Sequence, residues 1–455
     1  MTESNHTTED QNKAEYYAPI EIVANKSDEG RKLRDVLRNR IGISRRLMVK
    51  LKTSDEGLSV NGEKVWPNHR ISEGDVISLR MEEEISETIL PQPMELDIVF
   101  EDDHLLVLNK PAGVIVHPTT GHYLNTLANG VMHYWQERGE RIRFRPVHRL
   151  DEHTSGLVVI AKHPLAQQQL SAQMMEGTVI KEYRTYVYGT PSEPEGEINA
   201  PIGRQTEDPH RRVVREDGQP SQTFFRVSRT YMEGQASAVD IRLGTGRTHQ
   251  IRVHMTSIGC PIIGDSYYTD ERWTGSGLAE KLSGTIGRQA LHAARLGFDH
   301  PVTGEPMRLE AVLPEDMQRL ERQLIIMDEE QNEVSEPLKM YHLSTCSTCK
   351  GAIKALREHG YELDLHEIRE TPPSAEELGR LIKLSGLPIM KWFNTSGDAY
   401  REQGLKDKLP GMTEADKIKL LSSNGMLIKR PILTDGKRIS IGFREADVGP
   451  MWFGR

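Results

Sequence analysis

Four groups of residues have the types and spacing for chemistry. Asp151 sits in the polar stretch Arg149-Leu150-Asp151-Glu152-His153, just ahead of the apolar run 155–161. Lys181, Glu182 and Tyr183 stand together in a run of β-forming residues. Gly244-Thr245-Gly246 precedes Arg247 and Arg252 at the entry to a helical pattern. Cys346 and Cys349 are spaced as Cys-x-x-Cys. Each group alone also has a plain structural explanation. An aspartate in such a stretch is commonly a turn or cap residue, and a strand tyrosine is commonly half-buried with its hydroxyl bonded. The Gly-Thr-Gly turn lacks the Gly-Lys-Ser/Thr ending of a phosphate-cradling loop. The two cysteines fit a redox pair, half of a zinc site or two inert thiols. A second cysteine pair for zinc is missing, and no His-Glu-x-x-His spacing occurs, so no metal ligands are assigned.

The elements that must position these groups follow from local pattern. Residues 95–118 contain two strand patterns broken at Asp102-Asp103, and 155–162, 181–189 and 236–244 add further strands rich in Val, Ile, Tyr and Thr. This places Asp151 in a loop before a strand, Tyr183 on a strand, and Arg247 and Arg252 at the start of a helix. Helices are too sparse for an alternating βαβ chain, so the middle of the chain is expected to form a mixed, mostly antiparallel sheet. Cys346 falls at a strand-to-helix turn, where the partial positive charge of the helix N-terminus favours a thiolate. Residues 19–81 read as two short helices and a hairpin. Leu33, Val36, Leu37 and Ile41 form one apolar face that Gly42 ends, and Ser44 caps a second helix with Leu47, Met48 and Leu51 inward. Asn61-Gly62 then marks a tight hairpin turn.

Length, charge and cysteine content bound the alternatives. At about 150 residues per domain, 455 residues suggest roughly three domains. The start of the chain has no apolar segment of a secretory signal, and no run is long enough to span a bilayer. Three cysteines exclude a disulfide-stapled scaffold and point to a reducing, cytoplasmic setting. The net charge of -9 argues against a nucleic-acid binder only as an average. Residues 31–52 hold nine Lys/Arg against one acid, among them Arg31, Arg34, Arg38, Arg45, Arg46 and Lys50. That segment reads either as a phosphate-binding surface or as an ordinary solvated helix face. The charge breaks divide the chain into an acidic, disordered tail (1–18), a basic module (19–81), a large middle domain (92–325), an acidic linker (326–339) and a C-terminal domain (340–455). The fold class is α+β.

Residues 31–77 resemble the S4 RNA-binding module: two helices, the Val60-Asn61-Gly62 hairpin, and Glu73-Gly74-Asp75 before Ile77. This favours the phosphate-binding reading of the basic segment. The middle domain closely resembles the RluA/RluD family of RNA pseudouridine synthases. The matching text is NKPAGVIVHP (109–118), VHRLDEHTSGLVVIAK (147–162), KEYRTYVYG (181–189), PIGR (201–204), GTGRTHQIRVHMTSIGCPIIGD (244–265), RQALHA (288–293) and LGFDHPVTGE (296–305). Leu313-Pro314 completes it, and Cys260 departs from it where relatives commonly have histidine.

The resemblance implies a cofactor-free isomerisation. The C1′–N1 bond of a uridine breaks, the base turns, and C1′ joins C5. It assigns Asp151 as the catalytic carboxylate, Arg252 as its partner and Tyr183 as the residue stacked on the target base. Arg149 and Arg247 become RNA contacts. A carboxylate in an enclosed pocket tends to gain a proton, and a neighbouring guanidinium opposes this. The implied partner is RNA, with large-subunit ribosomal RNA or a pre-ribosomal particle as the expected substrate and no membrane contact.

The C-terminal domain resembles the thioredoxin-like arsenate reductase/Spx-type family through CSTCKGA (346–352), ETPPSAEEL (370–378), KWFNTSGDAYREQGLKD (391–407) and MLIKRPILTDGKRISIGF (426–443). Cys346 matches the nucleophilic cysteine and Arg430 the arginine before Pro431. Cys349 adds the means for an internal disulfide. The resemblance implies either a thiol partner or a contact with RNA polymerase. A passenger or interaction module is the alternative.

Overall fold

Apolar residues alternate along the central strands and send side chains to two sides of one sheet. The computed structural model describes residues 15–335, 337–444 and 451–453. The tail expected over 1–18 therefore lies outside the described residues up to position 14. The chain divides into two compact units, Met1–Asp328 and Glu329–Arg455.

The first unit begins with the basic module. Strand β1 (Ile20–Val23), helices α1 (Leu33–Asn39) and α2 (Arg45–Thr53), and strands β2 (Leu58–Val60), β3 (Glu63–Lys64) and β4 (Val76–Leu79) form it, with sheet order β1-β4-β2-β3. Ser44 caps α2 by accepting from Leu47 N at 3.2 Å. Asn61 and Gly62 both take positive φ, 50° and 82°, as the tight turn between β2 and β3 requires. Helix α1 stops at Asn39, so Ile41 lies in the turn beyond it rather than on the helix. Leu33, Val36, Leu37, Leu47 and Leu51 share a core with Leu165 from outside the module.

The middle region builds a nine-stranded sheet from β5 (Ile98–Glu101), β6 (Leu105–Lys110), β7 (Ser155–Ala161), β8 (Ile180–Tyr188), β9 (Glu195–Asn199), β12 (Gln222–Tyr231), β13 (Ala236–Leu243), β14 (Leu291–Asp299) and β15 (Pro306–Glu310). The strands β10 (Ile202–Arg204) and β11 (Arg212–Val214) form a separate hairpin. The large sheet runs β5-β6-β7-β14-β8-β13-β12-β9, with β15 also on β14. Its neighbours are antiparallel except β7 and β14. Leu106, Leu108, Val158 and Ile160 enter one core, and Leu105, Val107, Leu157 and Val159 enter another. Covered on both faces, β7 is buried at every residue, which explains its unbroken apolar sequence. Helices α3 (Leu127–Glu137), α4 (Pro164–Glu176), α5 (Gln250–Ser257), α6 (Gly277–Ile286) and α7 (Glu315–Ser335) complete the region. The acidic segment from 326 continues α7 as far as Ser335.

Helix α4 ties the basic module to this region. Ser44 N donates to Gln168 Oε1 at 2.8 Å, Gln168 Nε2 donates to Gly42 O, and Gln169 Nε2 donates to Ile41 O. With Leu165 in the shared core, the module is built into the first unit.

The second unit carries β16 (Leu338–His342), α8 (Ser347–Glu358), β17 (Leu363–Glu367), α9 (Ala375–Ser385), β18 (Ile432–Thr434) and β19 (Ile439–Ile441), with further short helices before β18. Its sheet order is β17-β16-β18-β19, parallel between β16 and β17 and antiparallel elsewhere. Both units are mixed α and β, as the sequence reading expects. Among the described residues, no helix is long and apolar enough to cross a membrane.

Candidate active site

The Asp151 loop is pinned carbonyl by carbonyl. Asp151 O accepts from Thr154 N at 3.1 Å, and Glu152 O accepts from Gly113 N at 2.9 Å. Lys110, fully buried at the end of β6, donates through Nζ to Glu152 O (2.9 Å), Val114 O (2.7 Å) and Pro111 O (2.8 Å). His153 O accepts from Arg288 Nη1 at 3.0 Å, and Arg288 is itself held by Asp316 at 2.6 and 2.9 Å. Burial pushes the Lys110 amine down, to about 7, and the nearby Arg288 charge adds to this. The three carbonyls work the other way, because together they call for the three N–H groups of an ammonium.

This fixed loop presents the Asp151 side chain, one quarter exposed, to Arg252 and His249. Arg252 Nη1 lies 3.5 Å from Asp151 Oδ2, and His249 Nε2 lies 3.9 Å away. Arg252 has little freedom. Its Nε and Nη2 donate to the two oxygens of buried Asp265 at 2.7 and 2.9 Å, and its guanidinium lies over the Tyr268 ring at 4.8 Å. Asp265 is fixed in turn by Tyr267 N and Tyr268 N, at 2.9 and 3.0 Å. Burial opposes the charge on Arg252, yet the hydrogen bonds and charge of Asp265, with Asp151 behind them, hold it above its ordinary range. One guanidinium edge is thus locked, and Nη1 is left for Asp151.

His249 takes φ 59° at the N-cap of α5, and its Nδ1 is 2.8 Å from Tyr268 Oη. Burial keeps this imidazole below its usual pKa against the pull of Asp151. Tyr183 is buried in β8, paired with Ala293 and Ile241 on its two neighbouring strands. Burial and the Asp151 charge push its phenol well above the ordinary tyrosine range, so it stays protonated.

The structure brings Asp151 and Arg252 into contact and places Tyr183 within the field of Asp151. Arg247 is not on the helix: α5 begins at Gln250. The reason is local, since Gln250 Oε1 accepts from Arg247 N (2.9 Å) and Thr245 Oγ1 (2.8 Å) and holds the Gly-Thr-Gly turn off the helix. Arg247 instead lines an open cleft of about 320 Å³ with Arg204, Arg212 and Gln219 at the β10–β11 hairpin. Arg149 is exposed two residues before Asp151. Arg31, Arg34, Arg38, Arg45 and Arg46 are exposed on the basic module, and Arg34 Nε is 3.5 Å from Asp35 Oδ1. Lys50 differs: its charge is engaged by Glu84 at 2.6 Å. Lys110, His249, Asp265 and Tyr268 carry no individual signal in the sequence, because their roles arise from tertiary contacts. Among the described residues, no group of His, Cys, Asp and Glu converges to hold a metal ion.

In the second unit, Cys346 is the N-cap of α8 and is partly exposed, whereas Cys349 is buried. Burial pushes the Cys346 thiol up. The N–H groups of Cys349 and Thr348, the Cys349 S–H and the Arg430 charge outweigh that and leave it below the ordinary thiol range. Burial raises Cys349. The pair is therefore asymmetric, with one partly exposed thiol made more acidic and one buried thiol made less acidic.

Comparison with known proteins places this geometry. The family pattern for RNA pseudouridylate synthase matches residues 104–257, which include Asp151, Tyr183 and Arg252. An uncharacterized RNA pseudouridine synthase of Bacillus subtilis is 41% identical over 281 residues, covering 62% of this chain and 95% of the relative. The chain belongs to the RNA pseudouridine synthase family. Another member, the ribosomal large subunit pseudouridine synthase D of Neisseria meningitidis serogroup A, is 38% identical over 323 residues, 69% of this chain and 82% of that one. The present chain also carries a C-terminal ArsC family domain, matched over its residues 341–451. A solved ArsC family related protein from Bacteroides fragilis is 41% identical over 25% of this chain and 95% of its own, with a TM-score of 0.24.

Proposed function

We propose that Asp151 is the catalytic carboxylate of a uridine isomerisation in large-subunit ribosomal RNA. The observation that carries this reading is the placement of Asp151: a partly exposed carboxylate on a rigid loop, 3.5 Å from a guanidinium that Asp265 locks in place. A uridine flipped out of its stack, at a cost of a few kcal/mol, brings its C1′–N1 junction to Asp151. Arg252 faces the carboxylate with positive charge and keeps it in position through bond cleavage and re-formation at C5. Tyr183 stacks on the detached base, and its protonated phenol suits it to stacking and hydroxyl hydrogen bonding rather than service as a phenolate base. Arg149, Arg247 and the hairpin arginines around the cleft bind RNA phosphates. Arg31, Arg34, Arg38, Arg45 and Arg46 extend that surface onto the basic module, whose fastening to α4 holds it in register with the site. The division into a basic module (19–81), a catalytic domain (92–325) and a thiol domain (340–455) joined by an acidic linker belongs to the same reading. It is supported by the break between the two units at Asp328.

The test is a pseudouridine map of ribosomal RNA from cells lacking the protein. Loss of modification at defined large-subunit uridines is expected, and an unchanged map contradicts the assignment.

For the ArsC family domain we infer a thiol redox role, supported by the accessible Cys346 beside the buried Cys349. Peroxide treatment followed by peptide mass spectrometry should link Cys346 to Cys349. Failure to link them favours a non-catalytic interaction or passenger module.

A further inference from the structure

The basic module presents one large aromatic ring to solvent. The chain has five tryptophans. Trp135, Trp392 and Trp452 are buried and Trp273 is half-buried, but Trp66 is 70% exposed. Its exposure is not that of a loose loop. Val65 on one side packs against the module's core. Pro67 on the other restricts the Trp66 backbone to extended conformations. The turn is then laced to the start of α1: Arg34 N donates to Pro67 O (2.9 Å), Leu33 N to His69 O (2.8 Å), and Ile71 N to Arg31 O (2.9 Å). Arg70 Nη1 closes the seam on Gly30 O at 2.6 Å.

These bonds fix the backbone of the turn that bears the exposed Trp66 against the start of α1, where a run of cations stands. Arg31, Arg34 and Arg38 are exposed, the last two one helical turn apart on α1. His69 and Arg70 are exposed on the same turn as Trp66. The nearby acids are Asp35 beside Arg34, Asp28 paired with Arg40, Glu29, whose carboxylate accepts from Glu73 N, and the exposed Glu73 itself. The N–H groups at the start of α1 are already taken by Pro67 and His69, so an anion there must be drawn by side-chain charge rather than by backbone. Exposed aliphatic residues elsewhere, such as Met175 and Val312, offer no π face. An aromatic platform flanked by guanidinium groups is the arrangement that binds single-stranded nucleic acid, one face stacking a base while cations hold the adjoining phosphates.

We propose that Trp66, with Arg31, Arg34 and Arg38, is a binding site for an unpaired RNA base and its flanking phosphates. The site rests on the reading of the chain as an RNA-binding synthase and adds a preference for single-stranded segments away from the target uridine.

The test uses the full chain and a fluorescein-labelled oligoadenylate of twelve nucleotides. Having no uridine, this probe reports binding whether or not Asp151 does the chemistry, so the two readings fail separately. Trp66→Ala should weaken single-strand binding on the order of ten-fold, and Trp66→Phe should recover most of the loss. Binding of the same strand annealed to oligothymidylate, a duplex that also has no uridine, should not change. The salt dependence should be unaltered in both Trp66 variants and shallower in Arg31→Gln and Arg34→Gln. RNA should also quench a component of tryptophan emission that is absent from Trp66→Phe. Wild-type single-strand affinity in Trp66→Ala, an equal loss on duplex, or undiminished quenching in Trp66→Phe would overturn the proposal.

Discussion

Asp265→Asn separates the positioning of Arg252 from its presence. Asp265 Oδ1 accepts from Arg252 Nη2 (2.9 Å), Tyr267 N (2.9 Å) and Tyr268 N (3.0 Å), while Oδ2 accepts from Arg252 Nε (2.7 Å). Asparagine can keep its carbonyl at Oδ1 and so retain three of these bonds. Its amide nitrogen then meets Arg252 Nε, donor against donor, and the buried charge partner is gone. Breaking a buried ion pair from one side costs about 3–5 kcal/mol. The lower end is expected, about 3 kcal/mol, because Arg252 keeps the Asp151 carboxylate and the Tyr268 ring. At about 2.1 cal/mol/K of unfolding entropy per residue, a body spanning Met1–Asp328 shifts by about 1.5 °C per kcal/mol, so Tm should fall by about 4 °C. The guanidinium, released on one edge, can close on Asp151 and shift the carboxylate from the sugar. A displacement of that kind costs on the order of 100-fold in rate. Tritium release from RNA labelled at uridine C5, measured well below the new Tm, should show kcat down by about that factor with KM little changed. A variant that loses the expected stability but turns over at the wild-type rate would refute the role given to the Asp265–Arg252 lock.

The other predictions follow from individual contacts. Lys110→Met leaves up to three part-buried carbonyls without their charged donor, at about 1–3 kcal/mol each. It should lower Tm and raise amide hydrogen exchange in the 110–114 and 151–154 segments, and unchanged exchange there would count against the pinned loop. Tyr183→Phe keeps the stacking ring and removes the hydroxyl, so KM should hold while kcat falls, whereas Tyr183→Ala should impair both. A fall in KM-normalised turnover no greater for Ala than for Phe would argue against stacking. For Cys346, thiolate accumulates as pH rises through a lowered pKa. Iodoacetamide should therefore label it with a midpoint below the ordinary ~8.5 of a free thiol. Arg430→Ala should move that midpoint up, and a wild-type midpoint at or above the free-thiol value would contradict the geometry.

What the sequence shows and what it hides follows from the range of each interaction. The Asn61-Gly62 turn, the Ser44 cap and the Cys346 helix entry are local, and their residues announce them. The two apolar faces of β6 are legible for the same reason. Asp151 and Arg252 are legible only because the family resemblance pairs residues a hundred positions apart. The resemblance says nothing of how Arg252 is held, since Asp265 and Tyr268 lie in a turn that reaches it only in the folded chain. Lys110 is equally silent: a lysine at a strand end reads as solvent-facing, and only the folded loops around it supply its three acceptors. The basic segment 31–52 is legible as a charge cluster, but not which charges remain available. Glu84 engages Lys50 and Asp28 engages Arg40 from outside that segment.

The proposed role of Asp151 is to carry the chemistry. Its most direct measurement is tritium release from C5-labelled ribosomal RNA by Asp151→Asn, beside wild type and with folding checked by thermal melt. The substitution keeps the shape of the side chain, removes its charge, and leaves the carbonyl pins of the loop in place. No detectable release is expected, at wild-type stability. Release at the wild-type rate would contradict that role.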